Sequence, residues 1–225
     1  MSMPDLSALW LTFRLAGLVT VILLVVATPL AWWLATTRAR IKPFVEATVA
    51  LPLVLPPTVL GFYLLIAFNP SAPLGGFWLS LTGDTLTFSF AGLVIASVLY
   101  SLPFAVQPLQ TAFEGVPRGL MEAAAGLRAS PLDAFFTVAA PLAARGFLTA
   151  GVLSFAHTLG EFGVVLMVGG AIPGETRVVS IAIYEHVETL AYGEAHGLSA
   201  ILLAVSFSVL LFVYVVNRRY RPHVG

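Results

Sequence analysis

The chain has 225 residues, of which 59% are hydrophobic and 10% are charged. A soluble domain of this length carries about 25% charged residues, so the composition excludes an ordinary soluble fold and predicts a protein whose main solvent is lipid. The sequence contains no cysteine, which excludes disulfides, thiolate catalysis and cysteine-ligated zinc.

Five apolar stretches are long enough to cross a bilayer, which takes about 20 residues. They cover residues 9–36, 45–68, 88–108, 147–168 and 198–216. The sequence therefore predicts one all-α, polytopic transmembrane domain over residues 1–225. Trp32 and Trp33 are expected at a membrane interface, where amphipathic rings settle. We predict a loop for residues 69–85 and an outer segment for residues 169–196.

The second apolar stretch is interrupted by three prolines, Pro52, Pro56 and Pro57. Each proline removes an amide donor and disfavours helix at the preceding residue. Two interpretations stay open at this point. The prolines form a plain kink, or they break the helix where it lines a transport path, as broken helices do in transporters.

A polar segment, residues 114–146, separates the third and fourth apolar stretches. Leu120, Ala124 and Leu127 recur at helical spacing on one face after Pro117, which suits a helix start. Ser130, followed by Pro131 and Asp133, predicts the start of a second helix. A short helix with an apolar face rests on the bilayer or lies in the groove of a partner protein.

Four polar residues fall in the fourth apolar stretch, at Ser154, His157, Thr158 and Glu161. On a continuous helix they share one face, and polar groups within a span face the bundle interior or a cavity. We favour a gating role, with hydrogen bonds across a subunit seam, over static bonding between helices. An intramembrane hydrolase built on Ser154 and His157 is disfavoured, because no nucleophile-elbow pattern surrounds Ser154. The remaining histidines show no metal-ligand spacing, and we predict no metal site.

The basic residues are divided unequally between the two predicted sides. Arg14 and Arg177 lie on one side, against nine residues on the other. The nine are Arg38, Arg40, Lys42, Arg118, Arg128, Arg145, Arg218, Arg219 and Arg221. The positive-inside rule then predicts an external N-terminus, with segment 114–146 and the C-terminal tail in the cytoplasm.

Lys42 is the one lysine, and it lies outside any G-x-x-x-x-G-K-[ST] context. A P-loop needs that lysine and a glycine-rich backbone to hold the phosphates of ATP. The chain is therefore predicted not to hydrolyse ATP by the P-loop route. If its work is driven by ATP, the ATPase is another polypeptide.

Segment 114–146 resembles the EAA loop of ABC-importer permeases, whose pattern is E-A-A, three residues, G, nine residues and I-x-L-P. Glu122-Ala123-Ala124 and Pro141 match, whereas Arg128 stands at the glycine position. Residues 52–57, 160–163 and 172–177 resemble stretches of molybdate-permease subunits, so that the resemblance extends over about residues 9–217.

The resemblance implies a type I ABC-importer permease, a multi-pass protein of the inner membrane without a cofactor. Its implied partners are a second copy in a homodimer, a cytoplasmic ABC ATPase dimer, an external molybdate-binding protein and membrane lipid, with no nucleic acid. The coupling residues it implies are Leu120, Glu122, Ala123, Ala124, Leu127, Arg128 and Pro141.

Three alternatives to a molybdate importer stay open. The substrate is tungstate or sulfate, carried by the same scaffold. The chain is a channel or secondary transporter that works without an ATPase. The third is a membrane-embedded enzyme, which would lose turnover on changes at Ser154 or His157.

Overall fold

The computed structural model describes residues 5–219, which contain twelve α-helices, one π-helical turn and no β-strand. The helices are α1 (Leu6–Thr36), α2 (Lys42–Val54), α3 (Pro57–Phe68), α4 (Pro73–Thr82), α5 (Phe90–Glu114), α6 (Arg118–Gly126), α7 (Pro131–Ala134), α8 (Ala140–Leu142), α9 (Ala144–Leu159), α10 (Gly163–Gly169), α11 (Val179–Glu188) and α12 (Tyr192–Arg219). The π turn, Phe135–Ala139, joins α7 to α8. The tail predicted at 217–221 lies partly outside the described residues, and His223 lies wholly outside them.

Three described helices are long and apolar enough to cross a membrane: Leu6–Thr36, Phe90–Glu114 and Tyr192–Phe212. Two bent pairs raise the number to five if each pair is one span. The first pair, α2 and α3, bends by 112°, and the second joins Pro131–Leu142 to α9 with a bend of 71°. The structure is thus a membrane protein in which continuous and broken helices alternate.

The core forms where α1, α5 and α9 pack against one another. Leu15, Val19 and Leu23 line the inner face of α1 and are fully buried, as are Val106 and Leu109 of α5. The faces turned away from this core carry exposed apolar side chains such as Val25 and Leu99. Apolar residues on both sides are what a bilayer-spanning helix requires.

The break predicted at the prolines is present. α2 ends at Val54 and α3 begins at Pro57, while Pro52 lies inside α2. α3 then packs closely on α10, because Gly61 and Gly163 leave no room for a side chain there. A Cβ on Gly163 would lie 2.8 Å from the Cβ of Pro57. Small residues permit such close helix contacts in membranes.

Two predicted elements are wrong in detail. The loop predicted for residues 69–85 contains α4, which begins at Pro73 and ends at Thr82, followed by Gly83 with φ 79°. Proline at the first helical position and a left-handed glycine after the last are ordinary helix limits. The fourth span predicted for residues 147–168 is interrupted, because α9 ends at Leu159 and α10 starts at Gly163.

A charged contact joins the start of α1 to the segment before α11. Arg177 bonds to the Asp5 carboxylate, and its Nε donates to Glu185 Oε2 at 2.5 Å. The pKa of Asp5 lies below its ordinary value, mainly because its carboxylate accepts a hydrogen bond from Ser7, with Arg177 adding to the effect. Val179 N also donates to Thr12 Oγ1 at 2.8 Å. These bonds tie α11 to α1.

The turn after α6 is closed by a Schellman motif. Arg128 has φ 65°, its N–H donates to the Ala125 carbonyl at 2.9 Å, and the Ala129 N–H donates to the Ala124 carbonyl at 3.0 Å. This pair of bonds requires a left-handed residue, which is usually glycine. The tight turn is therefore kept although Arg128 occupies the glycine position. The predicted Ser130 cap is confirmed, since its Oγ accepts from Asp133 N at 3.1 Å.

We predict that Arg128→Gly stabilises this turn, because a left-handed conformation costs a residue with a Cβ about 1 kcal/mol. Hydrogen exchange across residues 118–134 should slow by roughly fivefold, the factor that corresponds to that free energy. Arg128→Ala is the matched control, since it removes the guanidinium but keeps the Cβ. Equal slowing in both variants would mean that the arginine side chain, not the backbone, sets the stability of the turn.

Candidate functional site: a buried carboxylate cluster and an exposed coupling segment

Glu161 lies in the break between α9 and α10 and is only 3% exposed. Its carboxylate accepts hydrogen bonds from two serines of α5, from Ser97 Oγ at 2.5 Å and from Ser101 Oγ at 2.7 Å. Ser97 and Ser101 are four residues apart, on one face of α5. The break is therefore held against an intact membrane helix by a fully hydrogen-bonded acidic side chain.

The protons of this cluster can be assigned from Ser101. Its Oγ lies 2.7 Å from Glu161 Oε1, 2.8 Å from His157 Nδ1 and 3.2 Å from Thr158 Oγ1. A serine hydroxyl carries one proton, which we assign to the carboxylate as the stronger acceptor. Ser101 then accepts from His157 Nδ1–H and from the Thr158 hydroxyl. In this assignment His157 Nε2 is the ring nitrogen that makes no hydrogen bond to any described residue.

The ring of His157 is fixed by aromatic contacts. It stacks on Phe104 with centroids 4.0 Å apart and an interplanar angle of 25°, and its centroid lies 4.8 Å from that of Tyr100. Both contacts come from α5. The ring is therefore held by the hydrogen bond at Nδ1 and by two aromatic neighbours on α5.

A cleft of about 540 Å³, here called the His157 cleft, opens beside this cluster. Pro57 and Thr58 of α3 form one wall, and Tyr100, His157, Glu161 and Phe162 form the other. A broken backbone within a membrane is tolerated where it is buried in protein or lines a water-filled cavity. The cleft lies at such a break, between α9 and α10.

The residues predicted for a path or gate have different positions in the structure. Pro57, His157 and Glu161 line the His157 cleft. Thr158 is buried behind it, and the buried Ser154 Oγ has no hydrogen-bond partner within the described part of the chain. Pro56 caps α3 and Pro52 lies within α2; the cleft lining includes neither.

One inference about Glu161 is corrected. It does not share a helical face with Ser154 and His157, because α9 ends at Leu159. Its hydrogen bonds within the chain run to Ser97 and Ser101, and the bonds expected across a subunit seam stay a prediction. The sequence analysis missed both serines. Two hydroxyl residues four positions apart in an apolar span could have indicated a polar contact inside the membrane.

All of the predicted coupling residues except Ala124 are exposed in the single chain. α6, which carries Leu120 and Glu122-Ala123-Ala124, has no buried residue, and Leu127 at its end is 86% exposed. α6 begins one residue later than expected, with Pro117 as its N-cap. Pro141 lies in α8, beyond the π turn. The apolar stripe of α6 is therefore uncovered in the single chain.

Charged residues surround the base of α6. Lys42 Nζ lies 3.6 Å from both Glu46 and Glu114, and Gln110 Nε2 donates to the same two carboxylates. A cavity of about 660 Å³ borders this group and reaches Glu122. In residues 5–219, no three His, Asp or Glu side chains come close enough to hold a metal ion.

Comparison with known proteins gives the family. Residues 11–222 match the family described as the binding-protein-dependent transport system inner membrane component. The chain is 57% identical over 221 residues to the molybdenum transport system permease protein ModB of Azotobacter vinelandii, covering 98% of this chain and 97% of that protein. It is 34% identical to a probable sulfate transport system permease protein, cysT, of Zygnema circumcarinatum, covering 95% of this chain and 74% of that protein.

The fold matches that of a bacterial ABC transporter that imports alginate. The TM-score is 0.78 at 17% identity, and the match covers 99% of this chain and 82% of that one. The chain therefore belongs to the family of inner membrane components of binding-protein-dependent transport systems. The predicted all-α permease fold, the family and the multi-pass localisation in the inner membrane are confirmed. The orientation of the termini stays a prediction.

We predict that Glu161→Ala destabilises the protein by about 2–4 kcal/mol, because it leaves the buried hydroxyls of Ser97 and Ser101 without their acceptor. Thermal unfolding in detergent would measure the loss. Glu161→Gln is the matched control, since the amide keeps one acceptor oxygen and the side-chain shape. Its unfolding free energy should fall clearly less than that of Glu161→Ala. Equal unfolding temperatures for Glu161→Ala and the wild type would contradict the proposed role of the carboxylate in holding α9 and α10.

Proposed function

We propose that this chain is the permease subunit of an ATP-driven molybdate importer, and that segment 114–146 couples it to a separate cytoplasmic ATPase. The observation that carries the proposal is the 57% identity to a ModB permease along nearly the whole chain. At 34% identity a probable sulfate permease is also a relative, so the higher identity to ModB is what favours molybdate over sulfate.

The exposed α6 supports the coupling role. An isolated nine-residue helix is marginal in water, and no residue of α6 is buried in the described chain. Its apolar stripe fits a groove on a partner, where Leu120 and Leu127 would be the anchors. Glu122 and the basic residues around the adjacent cavity would add charged contacts at the rim. The ATPase pair of an ABC importer fits this description.

The basic residues support a cytoplasmic position for segment 114–146. Nine of the 11 lysines and arginines fall on that side of the predicted topology. The N-terminus and the contact between Asp5 and Arg177 would then lie outside, where a molybdate-binding protein delivers its substrate. Selectivity for the oxyanion would reside mainly in that binding protein.

The His157 cleft supports a homodimer. ABC ATPases act in pairs, so a symmetric permease dimer is expected. A second copy placed across the clefts would cover them and enclose a path between two equivalent half-sites. The two halves would rock between inward-facing and outward-facing states, coupling ATP binding to access at the path.

Glu161 and His157 are proposed as gate residues. The carboxylate holds the break between α9 and α10 against α5, so that these elements move together. Pro57 and Thr58 form the opposing wall across the cleft. A change in the distance between the two walls would open or close the path without breaking the cluster itself.

We predict that the tagged chain copurifies with its cognate ATPase. Leu120→Asp and Leu127→Asp should each weaken this association by at least about tenfold, since a central apolar anchor contributes about 2 kcal/mol. Glu175→Lys, an exposed change in the segment before α11, is the control and should retain the ATPase. The coupling proposal fails if the wild type captures no ATPase, or if both aspartate variants capture as much as the wild type.

The gate is tested by molybdate uptake into proteoliposomes that contain permease, ATPase and binding protein. Glu161→Gln and His157→Ala should lower ATP-driven uptake by roughly tenfold, because each removes a hydrogen bond that fixes the cleft wall. Both variants should still retain the ATPase. His186→Ala, outside the cleft, is the control. Uptake at the wild-type rate in both cleft variants would rule out the gating role.

A further inference from the structure

An aromatic cluster connects the coupling segment to the membrane core. It consists of Trp32 of α1, Phe113 of α5, Phe147 of α9 and Phe135 of the π turn. The centroid of Phe135 lies 5.3 Å from that of Trp32 and 5.7 Å from that of Phe113. Phe113 in turn lies 5.2 Å from Trp32 and 5.8 Å from Phe147. Trp32, expected at a membrane interface, therefore packs against core rings.

Three of these rings belong to the helices that form the core. Phe113 is almost fully buried, and the other rings pack against the same cluster of core residues. The start of α9 is also close to α5, since a Cβ on Gly146 would lie 2.3 Å from the Cβ of Ala112. Phe135 is the member that comes from segment 114–146. It inserts between rings of α1 and α5 at one end of the core.

Phe135 is the first residue of the π turn. The Ala140 N–H donates to the Phe135 carbonyl, which is the wide hydrogen-bond spacing of a π-helix. The two neighbouring rings face different surroundings. Phe135 packs against the core, whereas Phe136 is 66% exposed with its centroid 5.1 Å from that of Phe135.

We propose that Phe135 is a positioning residue for transport, which transmits displacement of the coupling segment to α1, α5 and α9 through the aromatic cluster. This inference rests on the proposed function of segment 114–146. Packed rings in edge-to-face contact are held by specific geometry as well as by burial, and packed interiors transmit strain because they contain little free volume. Movement of α6 and α7 would therefore shift the ends of three core helices together.

The test is the ratio of molybdate transported to ATP hydrolysed, measured in proteoliposomes with wild-type or variant permease, ATPase and binding protein. Phe135→Ala should copurify with the ATPase and support ATP hydrolysis, while transporting roughly tenfold less molybdate per ATP, since it removes the ring contacts of Phe135. Phe135→Leu retains apolar volume and should show the same direction of change. Phe135→Tyr retains the ring and should restore the ratio.

Two further variants separate transmission from general damage. Phe155→Ala is the matched control. Phe155 also lies in α9, but its ring packs near Phe13, outside the cluster, with the two ring centroids 6.4 Å apart. This variant should leave the ratio unchanged. Trp32→Ala should lower the ratio, and the double variant Trp32→Ala/Phe135→Ala should lower it no further than the stronger single change, because both act through one cluster.

Several outcomes would overturn the inference. A wild-type ratio in both Phe135→Ala and Phe135→Leu would contradict it, and so would an equal loss in Phe155→Ala. Loss of the ATPase from Phe135→Ala would make Phe135 a docking residue and remove the transmission role. Failure of the wild type to transport molybdate with ATP would instead overturn the proposed function. The failure of the proposed function is therefore distinguishable from the failure of the Phe135 inference.

Discussion

A buried carboxylate at a break between two helices is the interaction on which the rest of the structure depends. Glu161 accepts hydrogen bonds from Ser97 and Ser101, and its own main-chain carbonyl accepts a third from Ser180 of α11. A helix that ends inside a membrane exposes backbone groups that lipid cannot satisfy. The cluster compensates for this cost by tying α5, α9, α10 and α11 together at one point, beside which the His157 cleft opens.

The two functional regions differ in how their side chains are satisfied. At the Glu161 cluster the carboxylate and its neighbouring hydroxyls are bonded within the chain, so this region is ordered without a partner. At α6 no residue is buried, and Leu120 and Leu127 of the apolar stripe are exposed in the described chain. One region is thus suited to hold a shape and the other to receive an external protein. The aromatic cluster around Phe113 lies between them and gives a physical connection through packed rings.

Much of the fold was predictable, because lipid imposes a simple rule on composition. Long apolar stretches marked the membrane helices, and the prolines at 56 and 57 marked a true break. The Ser130 cap followed from local chemistry alone. The loop that contains α4 was misread because its polar composition outweighed Pro73 and Gly83, which are the limits of a short helix.

The site was less predictable because its contacts are between residues far apart in the sequence. His157 and Glu161 were found as polar residues in an apolar stretch, but periodicity placed them on one continuous helix that in fact ends at Leu159. Ser97 and Ser101, 60 or more positions away from Glu161, came into view with the tertiary structure. Arg128 stands where the family pattern has a glycine, and the left-handed turn found there could not be predicted from a residue type that disfavours it.

The most direct test of the account is the side of the membrane from which the His157 cleft can be reached. The chain has no cysteine, so Thr58→Cys places one thiol on the cleft wall. Its reaction with a membrane-impermeant thiol reagent can be followed in proteoliposomes with the ATPase and binding protein. The account predicts reaction from the cytoplasmic side without nucleotide and from the external side when the complex is trapped with ATP. Reaction from the same side in both states would contradict it.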